Sequence, residues 1–186
     1  MEIPQITTDR LTITIPSIEE APSVVKYVVE NRDFHKPWDP PRKESYFTLE
    51  YWQNTLEQHR REFLNDQSAK FFIFTREEKQ IVGHCNFSCF VRGCSHCANL
   101  GFSLAEKAQG NGFMYEALQA AIEYVFEELR LHRIQSNHLP HNYRSRNVLR
   151  RLGFVTEGYA RDYLFIHNGW QDHVLNSLTN HNITSI

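Results

Sequence analysis

The chain has 186 residues, enough for one domain with its own core. It is 41% apolar and 23% charged, with a formal net charge of −2, the balance of a soluble globular protein. That charge excludes a broad basic surface for nucleic acid, and no apolar run approaches the ~18 residues that span a membrane.

The opening Met1-Glu2-Ile3-Pro4 has neither a basic nor an apolar leader region, so the expected location is the cytoplasm. Residues 8–16 alternate, with Leu11, Ile13 and Ile15 on one face, and predict a first strand. Ser17-Ile18-Glu19-Glu20 fits a capping box, opening a helix through about residue 30. Residues 31–47 contain Lys36-Pro37-Trp38-Asp39-Pro40-Pro41 and predict an aromatic-rich surface loop. A second helix over 49–64 carries Leu49, Trp52, Leu56 and Phe63 on one face.

Strands follow over 70–75 and 80–87, joined by the charged turn Arg76-Glu77-Glu78-Lys79, and a third over 97–104. The helix over 113–129 has the clearest apolar stripe: Met114, Leu118, Ala121, Val125 and Leu129. A strand over 132–139, a helix over 144–152 ending at Gly153, and strands over 155–167 and 171–178 complete the chain. No linker or repeat interrupts this order, which predicts a single α+β domain over residues 1–186 on one twisted sheet.

All four cysteines, Cys85, Cys89, Cys94 and Cys97, fall in one window interleaved with His84 and His96. Thiolate and imidazole suit zinc, but the paired Cys-x2-Cys knuckles of structural sites are missing. The window reads as two strands around Arg92-Gly93 with reduced cysteines as small buried fillers, and no metal site is expected.

The segment Gln109-Gly110-Asn111-Gly112-Phe113-Met114 joins a strand to a helix. Glycine lets backbone approach a ligand closely, and the unpaired N–H groups of a helix's first turn sit at the positive end of its dipole. That combination suits a phosphate or diphosphate. It is not a Walker loop, because Phe113 stands where Lys would be, nor a dinucleotide fingerprint, because Tyr115 stands where the third glycine would be.

Some thirty residues on comes Asn142-Tyr143-Arg144-Ser145, closed by Leu152-Gly153-Phe154. The paired segments resemble the GCN5-related N-acetyltransferase (GNAT) superfamily. The likeness is closer to its ribosomal-protein-alanine N-acetyltransferase branch. It is carried by Thr8-Asp9-Arg10-Leu11, Lys36-Pro37-Trp38, Asn86-Phe87-Ser88, His132-Arg133-Ile134, Leu139-Pro140-His141-Asn142, Glu157-Gly158-Tyr159-Ala160 and Trp170-Gln171-Asp172-His173-Val174, so it spans nearly the whole chain.

The resemblance implies the GNAT fold, a twisted mixed sheet whose two central strands splay apart to admit acetyl-CoA as cosubstrate. Its pantetheine arm would lie along Gly101, Phe102, Ser103 and Leu104. Its diphosphate would rest on the main-chain N–H groups of Gln109, Gly110, Asn111, Gly112, Phe113 and Met114, with Asn142 near the pantetheine. Two positions depart from the superfamily pattern. Lys107 stands where Gln or Arg is usual. Leu149 stands where many members carry an acid tyrosine, so that tyrosine's role does not transfer.

The implied reaction is direct attack of an amine on the thioester in a ternary complex, with no acyl-cysteine. An α-amine with pKa ~8 costs about 1.4 kcal/mol to deprotonate at pH 7, against about 4.6 for a lysine amine near 10.4. A modest base is then enough. Glu106, between the cofactor strand and the glycine loop, is the first candidate base, since related enzymes that acetylate ribosomal-protein N-termini carry a carboxylate there; its other reading is a solvated loop glutamate. Ser145 is the candidate acid for the departing thiolate and also a cofactor contact; its other reading is a helix-start serine. Asn137 is a candidate for positioning a water. A backbone N–H near Leu100 to Phe102 could stabilise the thioester oxygen. Arg150 and Arg151 could reach the 3′-phosphate. His96, His132, His138 and His141 have suitable intrinsic pKa but no order of preference. Phe34, Trp38, Tyr46 and Trp52 are candidate walls of the acceptor pocket.

The acceptor implied by the resemblance is the N-terminal alanine of the fifth small-subunit ribosomal protein, and the partner therefore a ribosomal protein N-terminus. Neither membrane nor specific nucleic acid is an expected partner, and the chain is expected as a monomer or homodimer. Alternatives are a small-amine acetyltransferase with a closed acidic pocket, a non-catalytic acyl-CoA-binding module, and, most remotely, a zinc-dependent nucleic-acid module.

Overall fold

The computed structural model describes residues 2–183. Eight strands form one mixed sheet: β1 (Gln5–Thr7), β2 (Leu11–Thr14), β3 (Ala69–Thr75), β4 (Ile81–Val91), β5 (Cys97–Leu104), β6 (Arg133–His138), β7 (Val155–Ile166) and β8 (Gly169–Thr179). Their spatial order is β1-β2-β3-β4-β5-β6-β8-β7. Every neighbouring pair is antiparallel except β5 and β6, which run parallel.

Five helices accompany the sheet: α1 (Ala21–Glu30), α2 (Arg32–His35), α3 (Leu49–Leu64), α4 (Phe113–Glu127) and α5 (Tyr143–Arg151). Alternation along β3 assigns them to faces, because adjacent strand residues point to opposite sides. Phe71 packs into a core with Phe87, Leu100, Met114, Leu118 and Ala121, which places α4 on one face. Its neighbour Phe72 packs with Tyr27, Trp52 and Leu56, which places α1 and α3 on the other.

The capping box is present: the Ser17 N–H donates to Glu20 Oε2 at 2.6 Å, and the 3-10 turn Ile18–Glu20 leads into α1. Helix α3 has the expected bounds, with Thr48 as N-cap accepting from the Tyr51 N–H.

Three local expectations are corrected. The first strand is a hairpin, because the Thr8 hydroxyl captures the Leu11 N–H at 3.0 Å and turns the chain between β1 and β2. The loop over 31–47 contains α2 and a 3-10 turn at Glu44–Phe47. Strand β4 runs on to Val91 through a bulge, where Cys89 takes φ 55°. The cysteines are not all buried fillers: Cys85 is buried in the ladder, Cys89 is exposed at the bulge, Cys94 is exposed on the turn after β4, and all four are free thiols. Among the described residues no helix is long and apolar enough to cross a membrane, and no group of three or more His, Cys, Asp or Glu side chains converges to hold a metal.

Candidate active site

Strands β5 and β6 share three parallel pairs, ending at Asn99↔Gln135. Past that point each keeps its other neighbour. Strand β5 stays on β4 as far as Gly83↔Leu104, and β6 stays on β8 as far as His138↔Val174. The gap therefore opens inside the sheet. At its apex the Ser136 hydroxyl donates to the Leu100 carbonyl at 2.9 Å, satisfying an acceptor that the ladder has released. A cleft of about 370 Å³ fills the gap, lined by residues 100–104 of β5, by residues 136–138 of β6, and by Met114, Asn142, Ser145 and Val148. A Cβ built on Gly101 would meet nothing within 4 Å, so open space lies in front of that residue.

The glycine loop stands between β5 and α4. Gly110 and Gly112 take φ 80° and 76°, the left-handed region where a side chain is strained. Gly112 caps α4 without a side-chain bond, and the Glu116 N–H is the first to find a partner one turn back, on the Gly112 carbonyl at 3.1 Å. The neighbouring carbonyls are occupied from within. Asn111 Nδ2 donates to the oxygens of Ala108 and Gln109, Gln109 Nε2 to that of Leu104, and Arg10 Nη1 to that of Asn111. Donors are thus left in excess at a helix N-terminus, the setting that favours an anion.

Glu116 in the first turn of α4 does not compete for that role. Its carboxylate accepts from Thr8 Oγ at 2.5 Å and from Arg10 Nε at 2.7 Å. Burial pushes its pKa up, but those bonds together outweigh burial and hold it below the ordinary value.

On the opposite wall Asn142 is the N-cap of α5: its Oδ1 accepts from the Ser145 N–H at 3.1 Å. The cap is thus the asparagine, and the Ser145 hydroxyl is not used as one. Asn137 lines the cleft and donates to the Tyr163 hydroxyl at 3.4 Å. Gln109, Met114, Asn142 and Ser145 line the same space. Gly110, Asn111, Gly112 and Phe113 lie outside the lining residues. Arg150 is exposed on α5, and Arg144 lines the cleft instead. Glu106 is exposed on the 3-10 turn after β5, outside the lining, with its N–H bound to Asn31 Oδ1 at 2.9 Å.

Several lining groups were not singled out in the sequence as site residues. On β4, His84 pairs with Ser103 and Asn86 with Gly101. The Tyr27 hydroxyl lies 3.1 Å from Ser103 Oγ, which lies 2.8 Å from His84 Nε2. His84 Nδ1 and Asn86 Oδ1 are buried without partners. Burial, then the positive charge of His35 and Arg42, pushes His84 down to about 3, so its ring is neutral at physiological pH.

The cleft continues into a second cavity of about 180 Å³, lined by Tyr27, Arg32, Lys36, Tyr46 and His167 among others; both spaces touch His35, Asp39, Arg42 and His84. Among the residues lining the two, Asp39 is the one carboxylate, and Arg42 Nη2 stands 3.5 Å from it.

Of the expected aromatic walls, Phe34 and Trp38 line the cleft and Tyr46 the second cavity. Trp52 is core at 5% exposure, its indole N–H donating to the Tyr46 carbonyl. Of the four histidines, His138 lines the cleft. His132 Nδ1 bonds to the Asn180 carbonyl, His96 Nδ1 bonds to the Gly93 carbonyl, and His141 packs its ring on Trp38. His173 lines the cleft from β8. It lay in plain view within Trp170-Gln171-Asp172-His173-Val174, where strand alternation could have marked it.

A splayed parallel pair, a donor-rich glycine loop and an asparagine-capped helix across from it are the parts of an acyl-CoA transferase site. The acetyltransferase (GNAT) domain family matches residues 10–155, and the chain belongs to that family as an acetyl-CoA-dependent N-acetyltransferase. It is 47% identical to the [ribosomal protein uS5]-alanine N-acetyltransferase of Escherichia coli (strain K12), over 94% of this chain and 90% of that one. The crystal structure of ribosomal-protein-S5-alanine acetyltransferase from Vibrio fischeri superposes with a TM-score of 0.93 at 31% identity, covering 96% of this chain and 98% of the other. Mycobacterium smegmatis RimJ in complex with CoA-disulfide shares the fold, with a TM-score of 0.88 at 22% identity, covering 98% of this chain and 89% of its own.

Proposed function

We propose that this enzyme acetylates the N-terminal α-amine of a ribosomal protein, alanine being the terminal residue and uS5 the protein. The observation that carries this reading is the electrostatics of the acceptor side. Its single carboxylate, Asp39, is already paired with Arg42; Lys36 lines the second cavity and Arg144 the cleft, while Arg32 is paired with Glu44. Such a space repels a polyamine or a polycationic antibiotic, which would require an acidic pocket. A chain terminus with one amine of moderate pKa suits it. The 47% identity to the E. coli enzyme over 94% of the chain supports the same acceptor.

Acetyl-CoA supplies the activated acetyl group as a thioester. In this reading residues 101–104 flank its pantetheine, the open space before Gly101 giving room. The amides of residues 110–114 hold its diphosphate, the Gln109 N–H being spent on the Glu106 carbonyl at 3.2 Å, and Asn142 Nδ2, left free by the cap made through Oδ1, faces its amides. Ser145 protonates the departing sulfur, Asn137 orients a water or the amine, and Arg150 meets the 3′-phosphate. The backbone N–H of Phe102, on the same edge of β5 as the Leu100 carbonyl and freed by the splay, is the donor for the thioester oxygen. Residues 1–186 act as one catalytic unit in the cytoplasm, as a monomer or homodimer, without nucleic acid.

The test is the intact mass of ribosomal proteins from cells with and without the gene. The reading requires uS5 to lose one acetyl group when the gene is absent. An unchanged uS5 beside a newly unacetylated small amine would contradict it.

A further inference from the structure

The sheet register carries one face of the molecule across the splay. His84 and Asn86 pair with Ser103 and Gly101, and Asn99, two residues before Gly101, pairs with Gln135. Asn137 follows Gln135 by two and pairs with Leu175, itself two residues from His173. Paired residues, and residues two apart, share a face. His84, Asn86, Asn137 and His173 therefore all face the side on which Tyr27 of α1 meets Ser103. This is the side opposite α4 and the glycine loop, the side left for the acceptor in the reading above, on which the inference rests.

His173 is 4% exposed yet lines the cleft. Its Nδ1 lies 2.9 Å from the Gln171 carbonyl, which can only accept, so Nδ1 carries the hydrogen and Nε2 of the neutral ring keeps a lone pair. The ring rests on Tyr163, centroids 5.6 Å apart, and Tyr163 is tied to Asn137. The position and tautomer of the imidazole are thereby fixed. Of the nearby titratable groups, Tyr163 of β7 lies against its ring, while His138 of β6 and Asp172 of β8 act on it through charge from positions that alternation assigns to the other face, and Asp39, Arg42 and Arg144 line the same cleft. Asp172 is spent on the Tyr159 hydroxyl and the Asp162 N–H. Burial, with His138 adding to it, holds His173 below the ordinary histidine value, so it enters the reaction unprotonated.

We propose that His173 Nε2 is the proton acceptor of the transfer reaction. The lone pair of the neutral amine forms the N–C bond to the acetyl carbon, and the C–S bond breaks with its electrons leaving on sulfur. The surplus proton on nitrogen moves to Nε2 and is returned through solvent as the thiol forms, so the imidazole ends neutral.

The experiment compares wild type, His173→Ala and His173→Gln for kcat and KM with an Ala-initiated peptide, for acetyl-CoA affinity by calorimetry, and for rescue by imidazole. His173→Ala lowers kcat by about 10²–10⁴-fold, the usual worth of a general base, at unchanged acetyl-CoA affinity. Added imidazole restores part of the loss in His173→Ala. In both variants the acid limb of kcat/KM follows the amine alone. His173→Gln keeps the volume but not the basicity, so it shares the loss even where the alanine variant folds poorly. A kcat within a few-fold of wild type with an unchanged pH profile overturns the proposal, as does a large loss that moves to Glu106→Gln instead. If wild type turns over spermidine or lysine but no α-amine peptide, the acceptor reading fails. The same variants then report on His173 with whichever amine is used.

Discussion

The Ser136 hydroxyl donates to the Leu100 carbonyl at the residue pair where β5 and β6 part company. A carbonyl released from a sheet ladder in a buried position needs a donor, and here a side chain supplies it. Ser136→Ala leaves that oxygen bare at a cost of about 1–3 kcal/mol. Chemical denaturation should show a loss of that size. The KM for acetyl-CoA should rise with it, because the apex of the cleft shifts.

Gly112 tests the donor-rich loop. At φ 76° an alanine is strained by about 1–2 kcal/mol, although its Cβ would have room, the nearest atom being Arg10 Nη2 at 3.7 Å. Gly112→Ala should weaken binding of coenzyme A by calorimetry while leaving a pantetheine fragment without diphosphate unaffected. Equal losses for both ligands would place the diphosphate elsewhere.

Asn86 tests the acceptor side. Its buried Oδ1 has no partner, a cost that stability alone would not keep. Asn86→Leu should leave the melting temperature unchanged or raise it, leave acetyl-CoA affinity unchanged, and raise the KM for the peptide acceptor several-fold. A drop in melting temperature with an unchanged KM would mean that the side chain serves the fold.

Acid stability should depend on Glu62. Its carboxylate accepts from Lys70, Ser68 and Gln58, each within 2.8 Å, tying α3 to β3. Burial pushes its pKa up, but these bonds together bring it to about 2. With the folded pKa below the unfolded value of ~4.3, the contribution is fully present above that value and is lost as pH falls towards 2. Urea titrations at pH 7 and pH 3 should therefore show a smaller difference for Glu62→Gln than for wild type.

Much of this was legible in the sequence because it is local. The Ser17 capping box, the 49–64 helix and the 97–104 strand are short-range patterns of caps and apolar period, and each formed as read. The glycine loop was legible for the same reason, since its glycines and the helix start are neighbours in sequence, as Asn142 and the helix it caps are. The opposite wall of the cleft was not. His84 and Asn86 of β4, Asn137 of β6 and His173 of β8 share a face only through the pairing of strands far apart in the chain. Glu106 was marked by its place between the cofactor strand and the glycine loop; where its side chain stands, exposed on a 3-10 turn outside the cleft lining, is a tertiary fact. Cys89 likewise needed the bulge at its own φ of 55°, which no alternation pattern reveals.

The most direct test is positional. A peptide with a free N-terminal alanine and an internal lysine is incubated with the enzyme, acetyl-CoA and an equal concentration of spermidine, and the products are mapped by fragmentation mass spectrometry. The account predicts a single acetyl group on the alanine α-nitrogen, with lysine and spermidine unmodified. Acetyl on the lysine side chain, or on spermidine with the peptide untouched, would contradict it.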